Sequence, residues 1–99
     1  TLAEVEDKGE NCRRAIGAYG EALKVRTLER FPMDYAMTQN NLGIAYRTLA
    51  EVEDKGENCR RAIGAYGEAL SVFTAKAFPE PHAVVARNLA RCLRFCEGE

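Results

Sequence analysis

A chain of 99 residues, 46% hydrophobic and 29% charged, can bury one small core and is too apolar for disorder. Its net charge of −1 supplies no global attraction for nucleic acid or anionic lipid, and no apolar run reaches the about 18 residues that cross a bilayer. Without the basic start and apolar stretch of a secretory leader, the expected location is cytoplasmic, with no membrane partner.

The segment TLAEVEDKGENCRRAIGAYGEAL occupies residues 1–23 and returns unchanged at 48–70, an internal repeat of period 47. Apolar residues recur at intervals of three and four, never in the alternation of a half-buried strand, so the fold class is all-α. In chain order, residues 1–8 read as the end of a helix A, and a start inside a repeat suggests a fragment of a longer array. Residues 11–30 form a helix B with Cys12, Ala15, Ile16, Tyr19, Ala22, Leu23 and the stem of Arg26 on one stripe. Residues 33–54 form the next helix A, carrying Tyr35, Leu42, Ala45, Tyr46, Leu49 and Val52. Helix B returns at 58–77, and a last helix A spans 80–96.

Junction chemistry recurs with the same period. Gly9 suits the left-handed position after a helix and Asn11 the cap of the next, which predicts a short A-to-B turn there and antiparallel neighbours. Phe31-Pro32 and Phe78-Pro79 interrupt the chain between B and A, with Asp34 as the expected cap and Pro81 in a first turn. Each unit has too little apolar surface to close a core alone. The units should therefore stack as antiparallel helix-turn-helix repeats in an α-α superhelix, one solenoid over residues 1–99.

Three features carry a structural and a functional reading. Glu51, Glu53 and Asp54 crowd a helix end while Arg60 and Arg61 crowd the next start, an arrangement that an antiparallel hairpin would offset across the turn. Glycines 17, 20, 64 and 67 interrupt helix B, either as exposed positions outweighed by packing or as places where another backbone comes close. Of the four cysteines, Cys12 and Cys59 share one repeat position, and Cys92 and Cys96 share one helix, where they would need help to bridge or bind metal. The lone His82 lies ten residues upstream of Cys92, so the reading is reduced thiols, with no metal site and no cofactor.

Leu42-Gly43, Tyr46, Ala62, Tyr66, Ala69-Leu70 and Pro79 stand in an order that resembles the tetratricopeptide repeat (TPR) signature. The first unit shows the second half of it as Ala15, Tyr19, Ala22-Leu23 and Pro32. The last unit shows Leu89, with Ala90 and Leu93 in the glycine and tyrosine places. The usual unit is about 34 residues, and the longer period with its Asn-Asn-Leu-Gly segment is most similar to the kinesin light chain type. The resemblance implies small residues where helices A and B approach, and a concave helix A face that binds peptides or partner proteins.

On that reading Asn41 and Asn88, each preceding the leucine of the motif, line the groove. Helical spacing extends the face to Met37, Asn40, Ile44 and Arg47, and to Val84, Arg87, Arg91 and Arg94. Asparagine offers donor and acceptor groups to a peptide backbone, and four arginines on one face favour carboxylates, although such a stripe also serves as a solvated face. The expected function is a protein-interaction scaffold for a peptide or partner protein, including an acidic segment. The alternative is self-association through exposed repeat ends, head-to-tail or swapped. No phosphate loop, nucleophile elbow or metal cluster marks an enzyme, and the acidic turns argue against nucleic acid.

Overall fold

The computed structural model describes residues 1–98, apart from the side chains of Leu2, Ala3 and Val5. These residues form four helices and no strand: α1 (Leu2–Val25), α2 (Pro32–Leu49), α3 (Lys55–Val72) and α4 (Pro79–Glu97). Cross-helix contacts set the directions. Tyr35 with Glu68, Gly43 with Tyr66, and Arg61 over the Tyr46 ring make α2 and α3 antiparallel. The Lys8–Glu51 and Arg26–Asp34 ion pairs do the same for α1 and α2, and Cys59 with Cys96 and Phe73 with His82 for α3 and α4. Helices α2 and α4 then lie side by side and parallel, joined by a hydrogen bond from Asn88 Nδ2 to Asn40 Oδ1 and by Arg47 over the Phe95 ring.

The core gathers Ala36 from α2, Ala62, Tyr66, Ala69 and Phe73 from α3 and its end, and Val85 and Cys92 from α4. Alanines at the crossings let the backbones close on one large side chain, Tyr66, which is 1% exposed. At Gly43 a β-carbon would fall 2.6 Å from the Tyr66 ring, so only glycine fits there. Glycines 17, 20, 64 and 67 are exposed, with open space within this chain where a side chain would go.

The helix boundaries depart from the sequence reading at both kinds of junction. The A-to-B turn falls at residues 50–54, before the expected Gly56, with Asp54 left-handed at φ 44° as the N-cap of α3. Asn58 is not that cap. Its Nδ2 donates to the carbonyl of Glu53 at 3.0 Å and so satisfies the turn from inside the helix. In the first copy the same letters make no turn at all: α1 runs unbroken through Gly9, opened by a capping box between Thr1 and Glu4. At Gly9 a β-carbon would meet side-chain atoms of Arg13, Glu53 and Val52 at 3.3–3.6 Å, contacts that a flexible neighbour accommodates.

The B-type helices end at Val25 and Val72, short of residues 30 and 77. Thr27 and Thr74, one period apart, each accept a hydrogen bond on Oγ1 from the third residue on, Arg30 and Ala77, and this side-chain turn competes with helix. Phe31 and Phe78 then serve as N-caps with matching φ of −138° and −137°, and Pro32 and Pro79 open α2 and α4. Asp34 is therefore not the cap; it sits in the first turn of α2.

Charges at the A-to-B turn pair otherwise than the hairpin argument expects. Arg60 and Arg61 bind Glu57 on their own helix, while Glu51 and Glu53 reach back to Lys8 and Arg13 on α1. Exposed pairs of this kind add little stability, but they report register. Lys8 bonds Glu51 at 2.8 Å, and one period later Lys55 bonds the carbonyl of Gly98 at 3.1 Å, so both partners advance by 47 residues.

Cys59 and Cys96 form a disulfide between α3 and α4, with Cα atoms 6.0 Å apart, which corrects the expectation of four reduced thiols. Cys12 and Cys92 are free and buried. The pairing follows from the antiparallel packing of α3 and α4, which brings the start of one helix to the end of the other. The expected cytoplasmic location and this bond pull in opposite directions, because the cytosol keeps thiols reduced.

Opposite effects are expected from one substitution at two glycines. Gly43→Ala should destabilise the chain by about 1–3 kcal/mol through overlap with Tyr66, and Gly64→Ala should stabilise it by up to about 1 kcal/mol as an exposed helix position. Urea unfolding of the two variants measures both signs.

Candidate functional site

Helices α2 and α4 present one face together because each packs on α3 with its small or apolar residues and turns the next stripe outward. Met37 and Val84, one period apart, are 56% and 45% exposed, and Ile44 is 42% exposed. Between the N-terminal halves of the two helices lies a cavity of about 250 Å³ lined by Met33, Met37, Asn40, Asn41, Phe73, Pro81, Val84 and Val85. Its wall is apolar except for the two asparagines. A second hollow of about 270 Å³ follows toward the C-terminal ends, lined by Ile44, Arg47, Tyr66, Asn88 and Arg91. The groove thus changes along its length from apolar to cationic.

Eight of the ten sequence-derived positions line these two hollows: Met37, Asn40, Asn41 and Val84 in the first, and Ile44, Arg47, Asn88 and Arg91 in the second. Arg87 and Arg94 are exposed and line neither. Met33, Phe73, Pro81 and Val85 in the first hollow and Tyr66 in the second were not anticipated. Helical spacing back from Met37 reaches Met33, and the period carries Asp34 onto Pro81; Phe73 enters from the α3–α4 connection, which a reading confined to A helices leaves out.

The polar groups are unequally free. Asn40 and Asn88 spend part of their capacity on one another, whereas the exposed Asn41 keeps its whole amide for a ligand. Arg47 is held by Glu51 at 3.3 Å and lies 5.4 Å from the Phe95 ring centroid, and its buried Nε has no hydrogen-bond partner. Arg87, Arg91 and Arg94 have no ion pair among the described residues, so α4 supplies the uncompensated positive charge beside the groove.

Beneath the groove the ionisable groups are shifted mainly by burial, with the nearby Arg47 charge acting against it. Tyr66 is pushed up to about 12, chiefly because its phenolate would be desolvated, and burial likewise raises the Cys92 thiol. Both stay protonated in neutral solution and form floor, not chemistry. His82 places Nδ1 2.9 Å from the carbonyl of Phe73 and donates to it, tying the first turn of α4 to the end of α3. Among the described residues no group of three or more His, Cys, Asp or Glu side chains is spaced to hold a metal ion, and no helix is long and apolar enough to cross a membrane.

The chain matches no family model, no curated protein and no solved structure.

Because Cys59 and Cys96 close a loop across a sequence separation of 37 and clamp α4 to α3, reduction should cost about 3–4 kcal/mol of stability. Thermal unfolding with and without a reductant, alongside Cys59→Ser/Cys96→Ser, measures it. Equal midpoints would show the bond to be dispensable.

Proposed function

We propose that the chain is a TPR-like helical repeat, a solenoid segment that serves as a protein-interaction scaffold. Its α2–α4 groove takes an extended peptide or a segment of a partner protein. The observation that carries this reading is the groove itself: exposed methionine, valine and isoleucine side chains continue directly into a hollow bordered by Arg91. Such a surface suits a ligand with an apolar anchor at one end and acidic residues at the other. Asn41 is placed to bond the ligand backbone between them. The period of 47, the paired Lys8–Glu51 and Lys55–Gly98 bonds and the matching Thr27 and Thr74 turns support the repeat reading.

A second reading, self-association through an open helix face, is favoured by one comparison. Ala62, Tyr66 and Ala69 are 0%, 1% and 0% exposed under α2 and α4, while the identical Ala15, Tyr19 and Ala22 of α1 are only half-buried. That face suits a helix with glycine at the ring position. In α4 the corresponding residue is Ala90, whose β-carbon would meet Tyr19 as one at Gly43 would meet Tyr66. Head-to-tail docking of α4 on α1 therefore cannot copy the α2–α3 fit.

Selection of a displayed random-peptide library on the immobilised chain tests the groove. Enriched peptides should combine apolar and acidic residues. They should lose at least tenfold in affinity on Met37→Asp/Val84→Asp, and several-fold on Asn41→Ala. Enriched peptides that bind the double variant as tightly would place the site elsewhere.

A further inference from the structure

The same 23 letters adopt two backbones in one molecule. At residues 50–54 they leave the helix and turn, with Ala50 as the C-cap of α2 and Asp54 left-handed. The equivalent stretch 3–7 lies inside the unbroken α1. The turn contains no glycine and no proline; alanine, glutamate, valine, glutamate and aspartate all tolerate a helix. The other two connections cannot be absorbed in this way, since they run into Pro32 and Pro79 and carry the Thr27 and Thr74 side-chain turns.

What closes the α2–α3 turn is therefore not its own sequence. It is closed by the packing of α2 on α3 through Gly43 and Tyr66, by Asn58 on the Glu53 carbonyl, and by Lys8 and Arg13 on Glu51 and Glu53. Against them stands Asp54, the one non-glycine residue with positive φ among the described residues, whose conformation a continuous helix would relieve.

We propose that this turn is a hinge through which two copies of the chain exchange halves. With the turn opened, residues 32–72 become one helix about 60 Å long at 1.5 Å per residue. The α1–α2 half of each chain then seats on the α3–α4 half of the other. The contacts between the halves away from the turn are remade across chains: Gly43 on Tyr66, Tyr35 on Glu68, Asn88 on Asn40. The Cys59–Cys96 bond lies wholly within the α3–α4 half, so exchange requires no thiol chemistry. Since closed and exchanged forms share their interface, the balance between them rests on the hinge and on chain concentration. This inference stands apart from ligand binding in the groove, which either form retains.

Sedimentation equilibrium from micromolar to millimolar concentration should show a dimer that disperses slowly on dilution. Asp54→Gly, which fits the left-handed turn and weakens a helix, should raise the dimer dissociation constant roughly tenfold or more. Asp54→Ala should lower it, and Tyr19→Lys on the open α1 face should leave it unchanged. In a dimer mixed from 13C-labelled and 15N-labelled chains, isotope-filtered spectra should place the Gly43–Tyr66 contact between chains. A strictly monomeric chain, a dimer in which that contact stays within each chain, or dimerisation indifferent to Asp54→Gly would each overturn the hinge.

Discussion

The approach of Gly43 to the ring of Tyr66 is the constraint from which the rest of the structure follows. A missing side chain on α2 admits an aromatic ring on α3, and alanines on the same face of α3 let the two helices close around it. That closure leaves Tyr66 almost wholly buried and turns Met37 and Ile44, on the neighbouring stripe of α2, outward. Helix α4 then packs on the other flank of α3, where Val85 and Cys92 complete the core and Val84 joins the exposed row. The groove is a by-product of how a glycine and a tyrosine fit.

Identical sequence with different neighbours separates local preference from tertiary packing. The face Ala62, Tyr66 and Ala69 is sealed in α3 and half-open in α1, although the letters are the same. Likewise the stretch from alanine to aspartate is helix in one copy and turn in the other. Intrinsic propensity is thus close to balanced in this segment, and packing against α2 decides. A chain built this way carries its fold in the interfaces between helices, and its turns are free to be reused.

Much of this was legible in the residues. The period of 47 and the all-helical pattern follow from spacing, and of the ten groove positions that the TPR resemblance implied and helical spacing extended, eight line the two hollows. The turn was misplaced because Gly56 and Asn58 carry the usual residue types for a helix end and start. Here Asp54 takes the left-handed position, and the glycine equivalent to Gly56 in the first copy, Gly9, lies inside the unbroken α1. The disulfide was invisible because spacing along the chain says nothing of which helix ends meet; only the antiparallel seating of α4 on α3 brings Cys59 to Cys96. The four arginines differ in placement in ways that spacing does not show: Arg47 and Arg91 line the second hollow, Arg47 is also engaged by Glu51 and Phe95, and Arg87 and Arg94 are exposed and line neither hollow.

The claim at the centre of this account is that partner helices, not local sequence, set the order of the repeated segment. Residue-resolved amide hydrogen exchange tests it with an internal control, because residues 15–22 and 62–69 have the same sequence and the same intrinsic exchange rates. Amides of Ala62, Tyr66 and Ala69 should exchange at least tenfold more slowly than those of Ala15, Tyr19 and Ala22. Equal protection in the two copies would contradict it, and would mean that the segment holds its order without a helix covering that face.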